Sequence, residues 1–168
     1  LAADNMKLST VGYRPAMVTI NGEYMGMHNI RSKVNGAYIS QNFDISEDAF
    51  DMVEHGDYAE VGNLTAYNYL LEVLSKDLSI ESNFNEVKEL INIENYADFV
   101  IMQVFLVNGS INHNTMAWKP KENGKWQWIL VDLDRGFYNE GFNIEWFYEK
   151  GNLLLDRMIT NEGFKNYF

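Results

Sequence analysis

Two aspartates one residue apart, Asp132 and Asp134, close an apolar run in the segment KWQWILVDLDRGF at 125–137. On a strand, residues i and i+2 share a face and lie roughly 6.5–7 Å apart. A buried strand over this segment carries both carboxylates to one side and turns Leu133 into the core. Like charges held beside Trp128, Ile129, Leu130 and Val131 repel each other and are desolvated, and a hard divalent cation offsets both effects. Gly136 lets the backbone turn beside the pair. The competing reading is that Arg135 and nearby lysines neutralise the two acids at a strand end.

The loop NGSINHN at 108–114 is a second concentration of polar groups. Asn114 offers a carbonyl oxygen that can complete a cation shell with the two aspartates. His113 suits phosphate or metal, or a plain surface or capping role. Asn112 and Asn114 are equally good turn formers. Trp126 and Trp128 share a face of their strand, with Trp118 on the partner strand. Core packing is the default for all three, and base stacking the exception. Arg31 and Lys33 leave the N-terminal hairpin on one side, where they meet either solvent or phosphate oxygens. Neither G-x-x-x-x-G-K-[ST] nor G-x-G-x-x-G occurs, so Gly22 and Gly26 do not form a phosphate fingerprint.

These groups need a scaffold, and the pattern supplies one. Strands at 16–20 and 23–30 flank Asn21-Gly22, the strongest short hairpin signal. Residues 44–55 read as a capped acidic helix or turn, and 56–63 as a loop. Helices are expected at 65–75, 85–91 and 94–107. The last is apolar nearly all round and is the expected central buried helix, ended by Asn108-Gly109 with the glycine in the left-handed cap. A hairpin follows, with strands at 115–119 and 125–131 about a turn at 122–124. After Gly136 the chain is aromatic and irregular, then helical at 152–159 and 161–168. Antiparallel hairpins with segregated helices define an α+β domain.

Composition sets limits. The 168 residues suit one domain, 46% of them are hydrophobic, and ten Phe, ten Tyr and four Trp exclude a disordered chain. The net charge of −11 opposes non-specific nucleic-acid binding but permits a basic protein partner or a divalent cation. With no cysteine, disulfide scaffolds, Cys-ligated zinc and thiol catalysis are excluded. The longest apolar run, 99–107, is interrupted by Gln103 and is too short for a membrane span. The opening LAADNMKLST has neither an initiator Met nor a signal-peptide pattern, and the chain ends inside a helical pattern, so a fragment of a longer protein is expected.

The motifs also carry a family likeness. RPAMVTINGEYMGMHNIRS resembles the RPAxVxINGEYxGxYNLRE hairpin of the spore-coat protein H (CotH) kinase family. NGSINHN, AWK and GKWQWILVDLDRGF resemble that family's Asn-x-Asp-Trp…Asn-Asn loop, its strand ending in Trp-Arg or Trp-Lys, and its GKWxWIxxDLDxGFG segment. LLLDRMITNEGFKNYF is similar to its Leu-rich helix followed by Asn-Pro-Glu-Phe. The likeness spans nearly the whole chain, as a single partial domain over 1–168. It implies an atypical kinase-like fold with a central buried helix, transferring the γ-phosphoryl of ATP to protein serine with Mg2+ or Mn2+. It further implies that Asp132 holds the metal with Asp134 beside it, that Asn114 is a second ligand, and that Trp126 lies against adenine, while Arg31 and Lys33 are the candidate phosphate contacts.

Two departures accompany the likeness. Ser110 stands where the family's loop carries its catalytic Asp, with one residue fewer before Asn114, and a hydroxyl cannot accept a proton as a carboxylate does. Ser32 stands where the family usually has Glu. The family's upstream strand, with Arg-Gly-Asn-Ser and a Lys-rich segment, is not within the chain, which predicts an exposed sheet edge open to dimer pairing. Three functions are therefore weighed: an active kinase, a weakened or inactive pseudokinase serving as a surface interaction module, and a divalent-ion or sugar-binding structural domain. The likeness favours a spore-associated, cell-surface or extracellular setting and a serine-containing, basic protein partner.

Overall fold

The computed structural model describes residues 5–111, 113–137 and 153–167. Asn112 and most of the aromatic stretch after Gly136, 138–152, lie outside the described residues. A short strand β1 (Ser9–Thr10) precedes the hairpin of β2 (Tyr13–Ile20) and β3 (Glu23–Arg31). Asn21 and Gly22 turn this hairpin with φ of 52° and 85°, the doubly left-handed geometry that the Asn-Gly pair predicts. Among the described residues, β2 and β3 pair only with each other. Both faces of the hairpin are largely open, with Tyr13, Met17 and Met27 each at least 70% exposed.

After the hairpin, α1 (Gly36–Phe43) is capped by Asn35, whose side-chain oxygen accepts the Tyr38 N–H. The chain then departs from the expected helix at 44–55. It makes one short 3-10 turn, Glu47–Ala49, and enters β4 (Phe50–Glu54); the expected loop at 56–63 contains β5 (Tyr58–Val61). The reason is burial on both faces. Phe50 and Met52 enter one core and Val53 the other. Even Asp51 is only 5% exposed, accepting the Asn63 N–H. A strand covered on both sides loses the period-2 alternation that would reveal it.

The helices α2 (Thr65–Leu74), α3 (Glu81–Leu90) and α4 (Ile93–Phe105) follow, then β6 (Thr115–Pro120), β7 (Gln127–Leu130), α5 (Leu153–Met158) and α6 (Glu162–Tyr167). Among the described residues, β1, β7, β6, β4 and β5 form one sheet in that order, antiparallel except for the β1–β7 pair. The molecule is thus α+β. One sheet face packs residues of α2–α6 around Trp126, Trp128 and Leu130. The other packs α1 against Trp118, Ile129 and Val131. α4 is the central helix as expected: Tyr96, Ala97, Phe99 and Val100 are fully buried. Its apolar girdle is not buried all round, since Ile101 and Phe105 face outward at 37% and 63% exposure.

The outer edge of β7 is occupied. Ser9 and Thr10 pair with Ile129 and Leu130. Further back, the Trp126 N–H donates to the Leu90 carbonyl, and the Asn92 N–H to the Trp126 carbonyl. Between these two pairings, the Asn95 side chain fills the gap. Its amide oxygen accepts the Trp128 N–H at 2.6 Å, and its amide nitrogen donates to the carbonyls of Trp128 at 3.1 Å and Lys7 at 2.7 Å. Asn95 is 2% exposed, so water cannot replace it. Asn95→Ala leaves the Trp128 N–H and carbonyl buried without this partner, and each such group costs about 1–3 kcal/mol. Urea denaturation should report a loss of about 2 kcal/mol or more. A loss below about 1 kcal/mol would show that the clamp matters little.

Candidate functional site

Strand exits, turns and loops wall a cavity of about 300 Å³. The exit of β3 contributes Arg31 and Lys33, and the β4–β5 turn contributes Glu54 and His55. The loop before β6 contributes His113 and Asn114, and the exit of β7 contributes Asp132. A second cavity of about 280 Å³ shares Val11, Arg31 and Asp132 with the first. Arg31 and Asp132 therefore border both spaces.

The aspartates do not ride a strand. β7 ends at Leu130, and Asp132 takes a left-handed conformation with φ of 47°. That step breaks the i, i+2 relation on which a shared face depends. Asp132 lines the cavities, whereas Asp134 lies in the turn beyond and lines neither. Both side chains are exposed rather than desolvated. The bends come from Asp132 and from Phe137, with φ of 59°, not from Gly136. Gly136 is needed for a different reason: a Cβ there would approach the Leu133 carbonyl oxygen to 3.1 Å. The turn is fastened to the end of α4 by the Phe137 N–H donating to the Leu106 carbonyl at 2.7 Å.

Asn114 is the link between the two halves of the site. Its amide nitrogen donates to the Asp132 carbonyl at 3.0 Å. That commits the nitrogen and leaves the amide oxygen as the atom it can offer a cation. Ser110 organises this loop through its backbone. Its N–H donates to the Asn108 side chain, and its carbonyl accepts the N–H groups of His113 and Asn114. Ser110 lines neither cavity. Asn108 is itself buried, its amide donating to the Gln103 side chain at 2.7 Å.

Trp126 is not brought to the cavities. It is 0% exposed, packed edge-on to Tyr67 at 5.1 Å within the helical core. Its indole nitrogen has no hydrogen-bond partner among the described residues. A ring without an accessible face cannot stack on a base, so the adenine-contact expectation is corrected: this tryptophan is a core residue. Trp128 packs on Tyr96 in the same core, and Trp118 packs on Phe43 and Phe50 in the other.

Sequence reasoning missed Glu54 and His55. Glu54 ends β4, and its carboxylate lies 3.6 Å from the His55 Nε2. His55 has φ of 57°, and its N–H donates to the Thr115 carbonyl at 2.8 Å. The His55 ring stands perpendicular to that of His113, centroids 6.3 Å apart. The available signal was His55-Gly56-Asp57, a turn sequence set between two short strands.

The donor set suits a hard cation shared with phosphate. Among the described residues no group of three or more His, Asp or Glu forms a cage. One carboxylate and one amide oxygen beside two basic side chains match the way Mg2+ is held, by few protein ligands together with substrate phosphates. The family described as CotH kinase protein matches residues 3–168. No curated protein matches the chain.

The loop that presents Asn114 begins under strain. The left-handed cap of α4 is Val107, with φ of 53°, not the expected Gly109. Its N–H donates to the Val104 carbonyl and that of Asn108 to the Gln103 carbonyl, the paired bonds of a Schellman ending. A β-branched residue there is a genuine outlier. Val107→Gly should therefore raise stability by about 1 kcal/mol, read as a higher urea midpoint at unchanged slope. A lower midpoint would mean that packing of the valine outweighs its backbone strain.

Proposed function

The chain belongs to the CotH kinase family, and from that premise we propose that the paired cavities bind ATP with Mg2+ or Mn2+ and transfer its γ-phosphoryl to serine on a protein. Family membership carries the coarser statement, a kinase-like function with ATP, a divalent metal and a protein substrate, in a family of spore-coat association. The observation that carries the finer one is convergence. Arg31, Lys33, Asn114 and Asp132 come from three distant stretches of sequence and wall one cavity.

In this reading Arg31 and Lys33 receive phosphate oxygens, the guanidinium through its paired N–H groups. Asp132 and Asn114 hold the metal. When bound, the metal neutralises charge on the phosphates that would otherwise oppose attack. The left-handed bend at Asp132 and the Asn114 bond to its carbonyl fix both donors before ligand arrives, which is what phosphoryl transfer asks of a protein. Asp134 enters only as a nearby negative charge. Trp126 supports the core and leaves adenine contact to other groups. The net charge of −11 makes a basic acceptor protein the better electrostatic match. A spore or cell-surface setting goes with the family.

A second reading is favoured by one residue. Ser110 carries a hydroxyl at the family's catalytic position and lines neither cavity. A protein that binds nucleotide but turns it over poorly, or only binds partners, would have this feature.

The test begins with binding. At about one hundred times Kd, ligand binding adds about 2.7 kcal/mol, which raises the melting temperature of a chain this size by about 5–10 °C. Mg-ATP or Mn-ATP should produce such a rise, and ATP with chelator much less. Asp132→Asn keeps a residue that accepts left-handed backbone and removes the charge. It should melt close to the wild type yet lose the metal-dependent rise. No rise in the wild type would end this reading, and an undiminished rise in the variant would remove Asp132 from it.

A further inference from the structure

The cavity holds a proton acceptor that the sequence did not reveal. The family's catalytic position is occupied by Ser110, whose part here is to accept two backbone N–H groups and hold the turn that presents Asn114. Transfer to a serine hydroxyl still requires a group to take the proton. The titratable and charged groups around the cavity are Arg31 and Lys33 from the β3 exit, Glu54 and His55 from the β4–β5 turn, His113 from the loop, and Asp132 from the β7 exit. Arg31 and Lys33 cannot accept protons. Asp132 is engaged by the metal in the reading above, and His113 is the immediate neighbour of Asn114.

His55 differs from the rest in how it is held. A left-handed backbone, φ 57°, is a costly conformation that persists where surrounding structure dictates it, and such residues concentrate at functional sites. Here the dictating contact is the His55 N–H bond to the Thr115 carbonyl at 2.8 Å. Thr115 directly follows Asn114, so the backbone of His55 is tied to the strand that leaves the cation-ligand loop. The Glu54 carboxylate, 3.6 Å from Nε2, faces the ring from its own strand end. This is the base-and-orienter arrangement of an imidazole beside a carboxylate. The carboxylate lies nearest Nε2, so Nδ1 is the ring nitrogen left for a substrate proton.

We propose that His55 is the general base of phosphoryl transfer in this chain, with Glu54 as its positioning residue. The proposal rests on the reading of the cavity as a phosphoryl-transfer site. The acceptor serine oxygen bonds to the γ-phosphorus. The bond from that phosphorus to the bridging oxygen breaks, and its electron pair leaves with ADP. The hydroxyl proton passes to Nδ1 of His55 and from there to water.

The test measures transfer from γ-labelled ATP, as autophosphorylation and onto a basic serine-rich peptide, with the Mg-ATP thermal rise recorded in parallel. His55→Asn and His55→Gly both tolerate left-handed backbone, so the fold is expected to survive in each. His55→Asn should lower kcat about 100-fold or more, with the thermal rise and the KM for ATP unchanged. Added imidazole should restore His55→Gly at least about tenfold, the gain expected when a missing base is supplied from solution. Glu54→Gln should give a smaller drop in kcat without loss of binding.

Wild-type-like transfer by His55→Asn, or no rescue of His55→Gly, overturns the assignment while leaving the kinase reading intact. A wild type that shows the thermal rise but no transfer also overturns it and supports the pseudokinase reading. Absence of both the rise and transfer removes the nucleotide site itself.

Discussion

One buried carboxamide sets the geometry on which everything else rests. Asn95 lies on α4 and grips both backbone groups of Trp128 on β7, together with the Lys7 carbonyl ahead of β1. α4 continues into the loop that ends at Asn114, and β7 continues into Asp132. Fixing helix to strand at residue 95 therefore fixes the distance between the two halves of the site, Asn114 nineteen residues beyond Asn95 and Asp132 four beyond Trp128. The 3.0 Å bond from Asn114 to the Asp132 carbonyl is the visible result of that alignment. A side chain performs it because no full strand lies there. The three amide bonds substitute for ladder bonds that a neighbouring strand would make.

The electrostatic setting of the cavity runs against that of the whole chain. Acidic groups outnumber basic ones 24 to 13, and at long range such a surface repels a nucleotide. At short range Arg31 and Lys33 converge on one concave space, where opposing charges act through less water and count for more. The two scales have different jobs. The local cluster presents two positive side chains to the cavity, and the overall charge disfavours extended polyanions and favours cations. Salt should therefore act on encounter more than on the seated ligand.

Much of this was legible in the residues, and the failures share a cause. The Asn21-Gly22 hairpin, the central helix about Phe99 and the 115–130 hairpin follow from local rules, and each is present. Arg31, Lys33, Asn114 and Asp132 were picked by chemistry alone and stand around one cavity. The misses are places where local pattern yields to packing. Phe50, Met52 and Val53 are buried on opposite faces, so β4 has no alternation to read. Trp126 was placed against adenine only by the family likeness, with core packing as its default, and Tyr67 and the helices enclose it. Val107 holds a left-handed cap while Gly109, two residues on, was free to do so. Asp132 and Asp134 were joined by assuming that the strand continued, and one positive φ at Asp132 was enough to part them. His55 fell inside a segment read as a helix or turn, so its place at the end of a strand beside the cavity could not be seen.

The open hairpin has a chemical consequence of its own. The chain contains eight methionines and no cysteine, so thioethers are its only sulfur. Met17 and Met27 are cross-strand partners and are 77% and 70% exposed, whereas Met52 and Met158 are fully buried. An oxidant reaching this protein meets sulfur first at that pair. Conversion to sulfoxide makes the side chains more polar on a surface that already faces water. The buried Met52 and Met158 are not reached by the same encounter.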